Sequence, residues 1–321
     1  MDHSGCLPET IAAVRPARVL ASANGVKALA AHFGDLGCPV EAVADGQSVS
    51  LGGLDAMFVE TRMLHWPDSM FCYLAGENVL FSQDGFGMHL ASCERFADEI
   101  PGPVLRQEAA KYFANILLPF APFVLKTLTR YRDLGLTVDI IAPDHGPVYR
   151  MDLDWILSLY AAWAAQEPTR KAVVVYDTMW ESDAVMARAV AEGLSAGGAG
   201  PVRVLPMRAA HRSDVATEIL DAGALVAGSP TLNRTLFPTM ADVFSYLEGL
   251  RPQNLVGAAF GSYGWSGEGV DRVADALKAI GVDIVAGPVK VRYRPTAEDL
   301  GNCRAMGREV AEALVGRVGS G

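Results

Sequence analysis

Residues 61–87 read TRMLHWPDSMFCYLAGENVLFSQDGFG. One apolar run, residues 56–64, ends on His65, and a second, residues 78–82, ends two residues before Asp84. Short apolar runs bounded by turn residues suit buried strands. A histidine and a carboxylate, each delivered at a strand end, suit ligands of a metal held above a sheet edge. Outward from this stretch, residues 136–142 form a third such run and end in Pro143-Asp144-His145-Gly146. The chain begins Met1-Asp2-His3-Ser4-Gly5. One site can therefore collect Asp2, His3, His65, Asp84 and His145 from four segments. No single pair is specific; the recurrence of strand, ligand, then Gly or Pro is the signal.

A chain of 321 residues, half of them hydrophobic and a fifth charged, has room for two domains with separate cores. No apolar run approaches the roughly 18 residues of a membrane span, and no charged-then-apolar leader opens the sequence. A cytoplasmic protein without a membrane partner is expected. The net charge of −10 and the lack of a basic stripe argue against nucleic acid. Cys6, Cys38, Cys72, Cys93 and Cys303 are scattered, with no C-x-x-C pair. That spacing supports no zinc ribbon, rubredoxin-type iron centre or disulfide framework, and mostly buried, reduced thiols are expected.

Around the opening stretch, residues 7–14 read as a helix, 17–22 as a short strand, and 24–34 as an amphipathic helix closed by Gly34. Residues 38–64 alternate as strands around the turn pairs Asp45-Gly46 and Gly52-Gly53. Trp66-Pro67 favours an extended loop that holds His65 in place, and Gly85 and Gly87 let backbone approach a metal. His89 fits either a role behind the ligands or a place on the surface, and His32 reads as a surface or packing residue. Residues 104–133 predict helix interrupted at Pro119 and Pro122. In residues 152–166, Ile156, Leu159, Tyr160 and Trp163 recur at helical spacing. Glu167-Pro168 then marks a boundary between domains 1–166 and 168–321.

From Lys171 the rhythm becomes strand, loop, helix. KAVVVY, VRVLPM, ALVAGS, LVGAAFG and VDIVAG are the candidate strands. Helices are expected from near Ser182, Ser213, Phe237 and Ser266, and after Pro295. Five strands alternating with helices predict a doubly wound parallel sheet, with ligands outside its carboxyl edge. Three loops on that edge carry chemistry. In Thr178-Met179-Trp180-Glu181-Ser182-Asp183, hydroxyls and N–H groups at a helix start suit a phosphate, although a plain N-cap at Ser182 also fits. The second loop is Pro230-Thr231-Leu232-Asn233. The third, Ser262-Tyr263-Gly264-Trp265-Ser266-Gly267, lets backbone approach a flat ring that Tyr263 or Trp265 can cover.

The ligand-bearing loops of the first half resemble the metallo-β-lactamase fold. LHWPDSMFCYL, FSQDGFG, IAPDHGPVYR and the leading MDHSG are similar to the flavodiiron proteins, or A-type flavoproteins, over essentially the whole chain. The family's first metal motif is H-x-E-x-D-H-S-G. By position, the resemblance implies Asp2 and His3 as its last two ligands, His65 as the next histidine, Asp84 as the carboxylate bridging two irons, and His145 as the last histidine. In some members the histidine at the position of His3 binds no metal. The H-x-E portion and the strands before it would precede Met1, so an in-frame extension ending in His-x-Glu is expected upstream. Without it, one iron keeps only His65 and Asp84, and a sheet edge is left unpaired.

The three later loops resemble the family's flavodoxin-like domain, which binds FMN. Thr178 to Asp183 would cradle the phosphate, Pro230 to Asn233 would border the isoalloxazine, and Ser262 to Gly267 would close the far side. Asp183 stands where the family has a hydroxyl residue, which is unfavourable beside a phosphate unless the side chain turns away. The resemblance implies an oxidoreductase that passes electrons from a separate donor such as rubredoxin through FMN to a non-haem diiron site. That site reduces dioxygen to water or nitric oxide to nitrous oxide, in a head-to-tail homodimer. Two other readings fit parts of the pattern: a zinc hydrolase of the metallo-β-lactamase fold, and a flavodoxin-like electron carrier with an inactive metal domain.

Overall fold

The computed structural model describes residues 3–319, so Asp2 of the expected ligand set lies outside the described residues. The chain divides into two compact units. The first comprises the residues up to Phe113 and Phe120–Ala165; the second comprises Ala114–Pro119 and the residues from Gln166 onward.

The first unit opens with α1 (Leu7–Val14), β1 (Val19–Ala21), α2 (Ala23–Phe33) and β2 (Val40–Ala42). The Ser22 hydroxyl caps α2 by accepting from the Gly25 N–H, which satisfies one of the helix's orphan donors. β1 and β2 pair in parallel with each other. There follow β3 (Ser48–Ser50), β4 (Asp55–Glu60), β5 (Met70–Ala75) and β6 (Val79–Gln83). After α3 (Gly102–Tyr112) and α4 (Ala121–Leu134) come β7 (Ile140–Pro143) and α5 (Leu153–Ala165). The sheet runs β3-β4-β5-β6-β7, antiparallel except for the parallel β6–β7 pair.

Two expectations change here. The run 56–64 is strand only as far as Glu60, and His65 sits in the loop that joins β4 to β5. β5, lying inside the opening stretch, went unread. Phe71 and Tyr73 are buried on one of its faces, while Cys72 and Leu74 pack against Ala56 and Phe58 on the other. Apolar residues on both faces erase the period-2 alternation that marks a half-exposed strand.

Between α3 and α4 the helix does break where prolines were expected to interrupt it. A π turn (Phe113–Leu117) and a 3-10 turn (Leu118–Phe120) intervene, and Pro122 sits in the first turn of α4, where a missing N–H costs nothing. The whole run Gly102–Leu134 is long and apolar enough to cross a membrane by length and composition. Leu105, Ala109, Tyr112, Val124 and Leu128 nevertheless form the buried stripe of a core helix. The cysteines also differ from expectation: Cys303 is buried, but Cys6 and Cys93 are exposed.

The second unit contains β8 (Ala172–Tyr176), α6 (Ser182–Ala196), β9 (Val202–Pro206), α7 (Arg212–Ile219), β10 (Ala224–Gly228) and α8 (Pro238–Leu250). It continues through β11 (Val256–Tyr263), α9 (Glu268–Ala279), β12 (Asp283–Ile284), β13 (Val289–Arg292) and α10 (Ala297–Val318). Its parallel sheet has the order β9-β8-β10-β11-β12, the 2-1-3-4-5 arrangement of one doubly wound class. β8 and β10 are buried along their whole length, as strands covered on both faces must be. On one face Val174, Val226 and Phe260 pack against Met186 and Val190 of α6 and Val310 and Leu314 of α10. Of the expected last strand, residues 282–287, only Asp283–Ile284 is strand. Its place along β11 is taken by β13, which pairs with Phe260–Tyr263 and was not expected.

Candidate functional site

Strand direction explains the first cluster. β4 and β6 point the same way because each is antiparallel to β5, and β7 runs parallel to β6. The β4–β5 loop and the residues after β6 and β7 therefore emerge on one edge, carrying His65, Asp84 and His145. The Asp84 turn is held firmly: the Ser82 hydroxyl donates to the Gly85 carbonyl at 2.6 Å, and the Tyr149 hydroxyl donates to the Phe86 carbonyl at 3.0 Å. Burial pushes the Tyr149 phenol well above its ordinary pKa, so it remains a donor at any physiological pH. Gly146 has φ +83, and a Cβ there would stand 2.7 Å from Met88, so this turn after His145 calls for glycine.

Asp84 is 1 % exposed, and its two oxygens face different partners. His3 Nε2 lies 3.0 Å and His145 Nε2 3.6 Å from Oδ1, while His65 Nε2 lies 3.8 Å from Oδ2. The Tyr112 hydroxyl donates to Oδ1 at 3.1 Å. Ligand atoms of His3, Asp84 and His145 lie within 4.8 Å of one another. His65 is outside that trio but reaches the opposite carboxylate oxygen. His3 Nδ1 stands 3.1 Å from Asp144 Oδ2, which orients its ring toward Asp84. His89 places its ring edge-on to both Tyr112 and His145 while remaining exposed, so it backs a ligand candidate from the surface.

Among the described residues, the ion-pair partners of Asp84 are histidines alone. A buried carboxylate needs pairing or a cation, and converging imidazole and carboxylate donors suit iron or zinc. This donor set fits a metal. Tyr112 and Asp144 were missed from the sequence. Asp144 is adjacent to a ligand candidate, but Tyr112 is one tyrosine in a helical run and carries no local signal.

The second site is a cavity of about 440 Å³ in the second unit, a size typical of small-molecule sites. Met179, Trp180 and Ser182 line it from the first loop, Pro230 to Asn233 from the second, and Ser262 to Trp265 from the third. Gly267 lies just past the lining, as the N-cap of α9. Tyr293 and Arg294 also line the cavity. They follow β13, and with that strand unread nothing pointed to them. Trp180 and Trp265 are 85 % and 86 % exposed, leaving two indoles at the mouth with little to cover them.

The turn before α6 differs from a plain N-cap. Glu181 occupies the cap position in the left-handed region at φ 66 and makes no side-chain cap; its carboxylate instead pairs with Arg208. The Ser182 hydroxyl donates to the Tyr293 carbonyl at 2.8 Å. The Thr178 hydroxyl oxygen is buried and finds no hydrogen-bond partner. An uncapped helix start, an orphaned hydroxyl and a nearby guanidinium suit a phosphate, and exposed indoles suit a flat aromatic ring. These residues fit a flavin nucleotide. Asp183 does turn away: its carboxylate points inward and accepts from the Ser262 N–H and hydroxyl, both at 2.8 Å.

A metal cluster on a strand-rich unit, followed by a flavodoxin-type sheet with a nucleotide-sized cavity, defines a metalloflavoprotein of two α/β units. The family model described as Flavodoxin matches residues 174–307. Rubredoxin-oxygen oxidoreductase of Megalodesulfovibrio gigas is 42% identical over 316 residues, covering 98% of this chain and 78% of that protein. Nitric oxide reductase of Moorella thermoacetica is 41% identical over 98% of this chain and 78% of its own. The solved structure of rubredoxin oxygen:oxidoreductase from Desulfovibrio gigas has 41% sequence identity and a TM-score of 0.94, covering 98% of this chain and 79% of that one. The chain belongs to the flavodiiron protein family. Its first unit is β-lactamase-like, its second a flavodoxin domain, and its family relatives are oxygen and nitric oxide reductases.

Proposed function

We propose that this chain takes electrons from a small donor such as rubredoxin through FMN and delivers them to two irons that reduce dioxygen to water or nitric oxide to nitrous oxide. The observation that carries the reading is the two-sided presentation of Asp84, one oxygen toward His3 and His145 and the other toward His65. A carboxylate so placed suits a bridge between two cations. His3, His145 and Asp2 would serve one iron and His65 the other, with Asp84 shared. When bound, FMN links two-electron donors to one-electron acceptors, and the irons bind and reduce the small substrate.

The chain's own residues do the rest. Tyr112 holds Asp84 from behind the cluster, Asp144 orients His3, and the turn of residues 84–87 fixes the bridge. In the second unit, Thr178 and the first N–H groups of α6 would take the phosphate, with Trp180 and Trp265 flanking the ring. Rubredoxin as donor is supported by the name of the Megalodesulfovibrio relative.

Two measurements test the proposal. Purified protein is expected to be yellow and to release FMN rather than FAD on denaturation, about one per chain; a folded, colourless protein that takes up no added FMN would refute the flavin assignment. Consumption of oxygen or nitric oxide should depend on reduced rubredoxin and on protein-bound iron. Iron-loaded, flavin-loaded protein that consumes neither gas would overturn the activity.

A further inference from the structure

Asp183 is fully buried, yet it lies directly behind the wall of the flavin cavity. The residue before it, Ser182, and its hydrogen-bond partner, Ser262, both line that cavity. The carboxylate thus joins the start of α6 to the end of β11, tying the first cavity loop to the third. Among the described residues it forms no ion pair with a base.

Charged groups on the surrounding elements are engaged elsewhere. Glu181 pairs with Arg208, Glu192 of α6 with Arg304 of α10, and Lys290 of β13 with Asp271. Arg292 donates to the Gly264 carbonyl, Asp299 caps α10 at Thr296, and Asp177 accepts from the Thr178 N–H and from the Thr239 hydroxyl. Arg294 lines the cavity itself. Tyr176, at the end of β8, and Cys303, on α10, are both held protonated by burial. Asp183 is therefore a buried acid at this wall that no cation neutralises; Asp177, the other buried acid of the first loop, lies before the turn and does not touch the cavity lining.

We infer that Asp183 makes FMN binding proton-linked: its carboxyl takes up a proton when a phosphate seats in the turn before α6. The inference rests on the assignment of FMN to this cavity. A phosphate carries nearly two negative charges at neutral pH, and a second buried anion a few residues away opposes it. Burial already pushes the Asp183 carboxyl up to about 6, against the hydrogen bonds from Ser262. The phosphate raises it further. Below about pH 6 the carboxyl is protonated with or without FMN, and binding takes up nothing. Above that, binding must draw in a proton, so affinity falls as pH rises, by at most about tenfold per pH unit for one proton. Once pH exceeds the raised value in the complex, the decline levels off.

The test compares flavin-free full-length protein with Asp183→Asn, reading the Kd for FMN from flavin fluorescence between about pH 5.5 and 8.5. The phosphate's own ionisation affects both proteins alike, so their ratio isolates Asp183. Equal affinities are expected near pH 6, and roughly tenfold tighter binding by the variant near pH 8. Riboflavin, which lacks the phosphate, should show no such divergence. Asp183→Thr provides a second uncharged side chain should Asn disturb the Ser262 contacts, and the same divergence is expected from it. Parallel FMN profiles for wild type and both variants would overturn the inference, as would an equal divergence with riboflavin. Failure of every protein to bind FMN at any pH would instead overturn the cavity assignment, and the inference with it.

Discussion

Asp84→Ala is expected to empty the metal centre while leaving the flavin in place. His3, His145 and His65 all converge on this one carboxylate, from opposite oxygens. Removing it takes a ligand from both sides of the site and a buried negative charge from its middle. Loss of a partner that merely orients a ligand typically costs about 10–100-fold in metal affinity, and loss of a shared ligand should exceed that. Metal retained after dialysis should fall to background and rubredoxin-dependent gas consumption should cease, while FMN content stays at the wild-type level. The cavity is built from residues 179–294 and shares no side chain with the cluster. His65→Ala should lower metal content as well, because His65 alone among the described residues faces Oδ2. Metal retained at wild-type stoichiometry by Asp84→Ala would place the centre elsewhere.

How much of this was legible depended on what the sequence writes locally. Asp84 and His145 could be read because each follows an apolar run within three residues and is itself followed by glycine. That His65 meets them follows from strand direction, which depended on the unread β5: with two apolar faces, Met70–Ala75 shows no alternation. Tyr112 is a long-range partner with no spacing to reveal it. In the second unit the strand–loop–helix rhythm fixed the sheet and three of its loops. Tyr293 and Arg294 escaped because Gly287-Pro288 looks like the end of a last strand, whereas the sheet resumes one residue later in β13. The side chain of Asp183 shows the limit most clearly. Its position in the turn suggests a phosphate neighbour, but only the fold decides that it points inward to Ser262.

Gly193→Ala is expected to destabilise the flavodoxin-like unit out of proportion to the single methyl it adds. α6 and α10 touch through two glycines. A Cβ on Gly193 would sit 2.2 Å from the carbonyl oxygen of Arg304, and one on Gly307 would sit 2.3 Å from the carbonyl oxygen of Val190. Both obstacles are backbone, so neither can swing aside; the helices must separate. Separation would loosen Met186, Val190, Val310 and Leu314 from the sheet face they cover. Overpacking a close-packed core costs about 1–3 kcal/mol, occasionally more, and in a unit of this size that lowers Tm by roughly 2–12 °C. Gly301→Ala makes the control, since Gly301 is exposed on α10 and nothing lies within 4 Å of an added Cβ. There the same change should stabilise by about 0.5–1 kcal/mol, because glycine is the poorer helix former. Thermal unfolding followed by release of flavin fluorescence reads both. Opposite shifts would place the cost in the α6–α10 contact rather than in the methyl itself, whereas a neutral Gly193→Ala would mean that the two helices do not approach as closely as Gly193 and Gly307 allow.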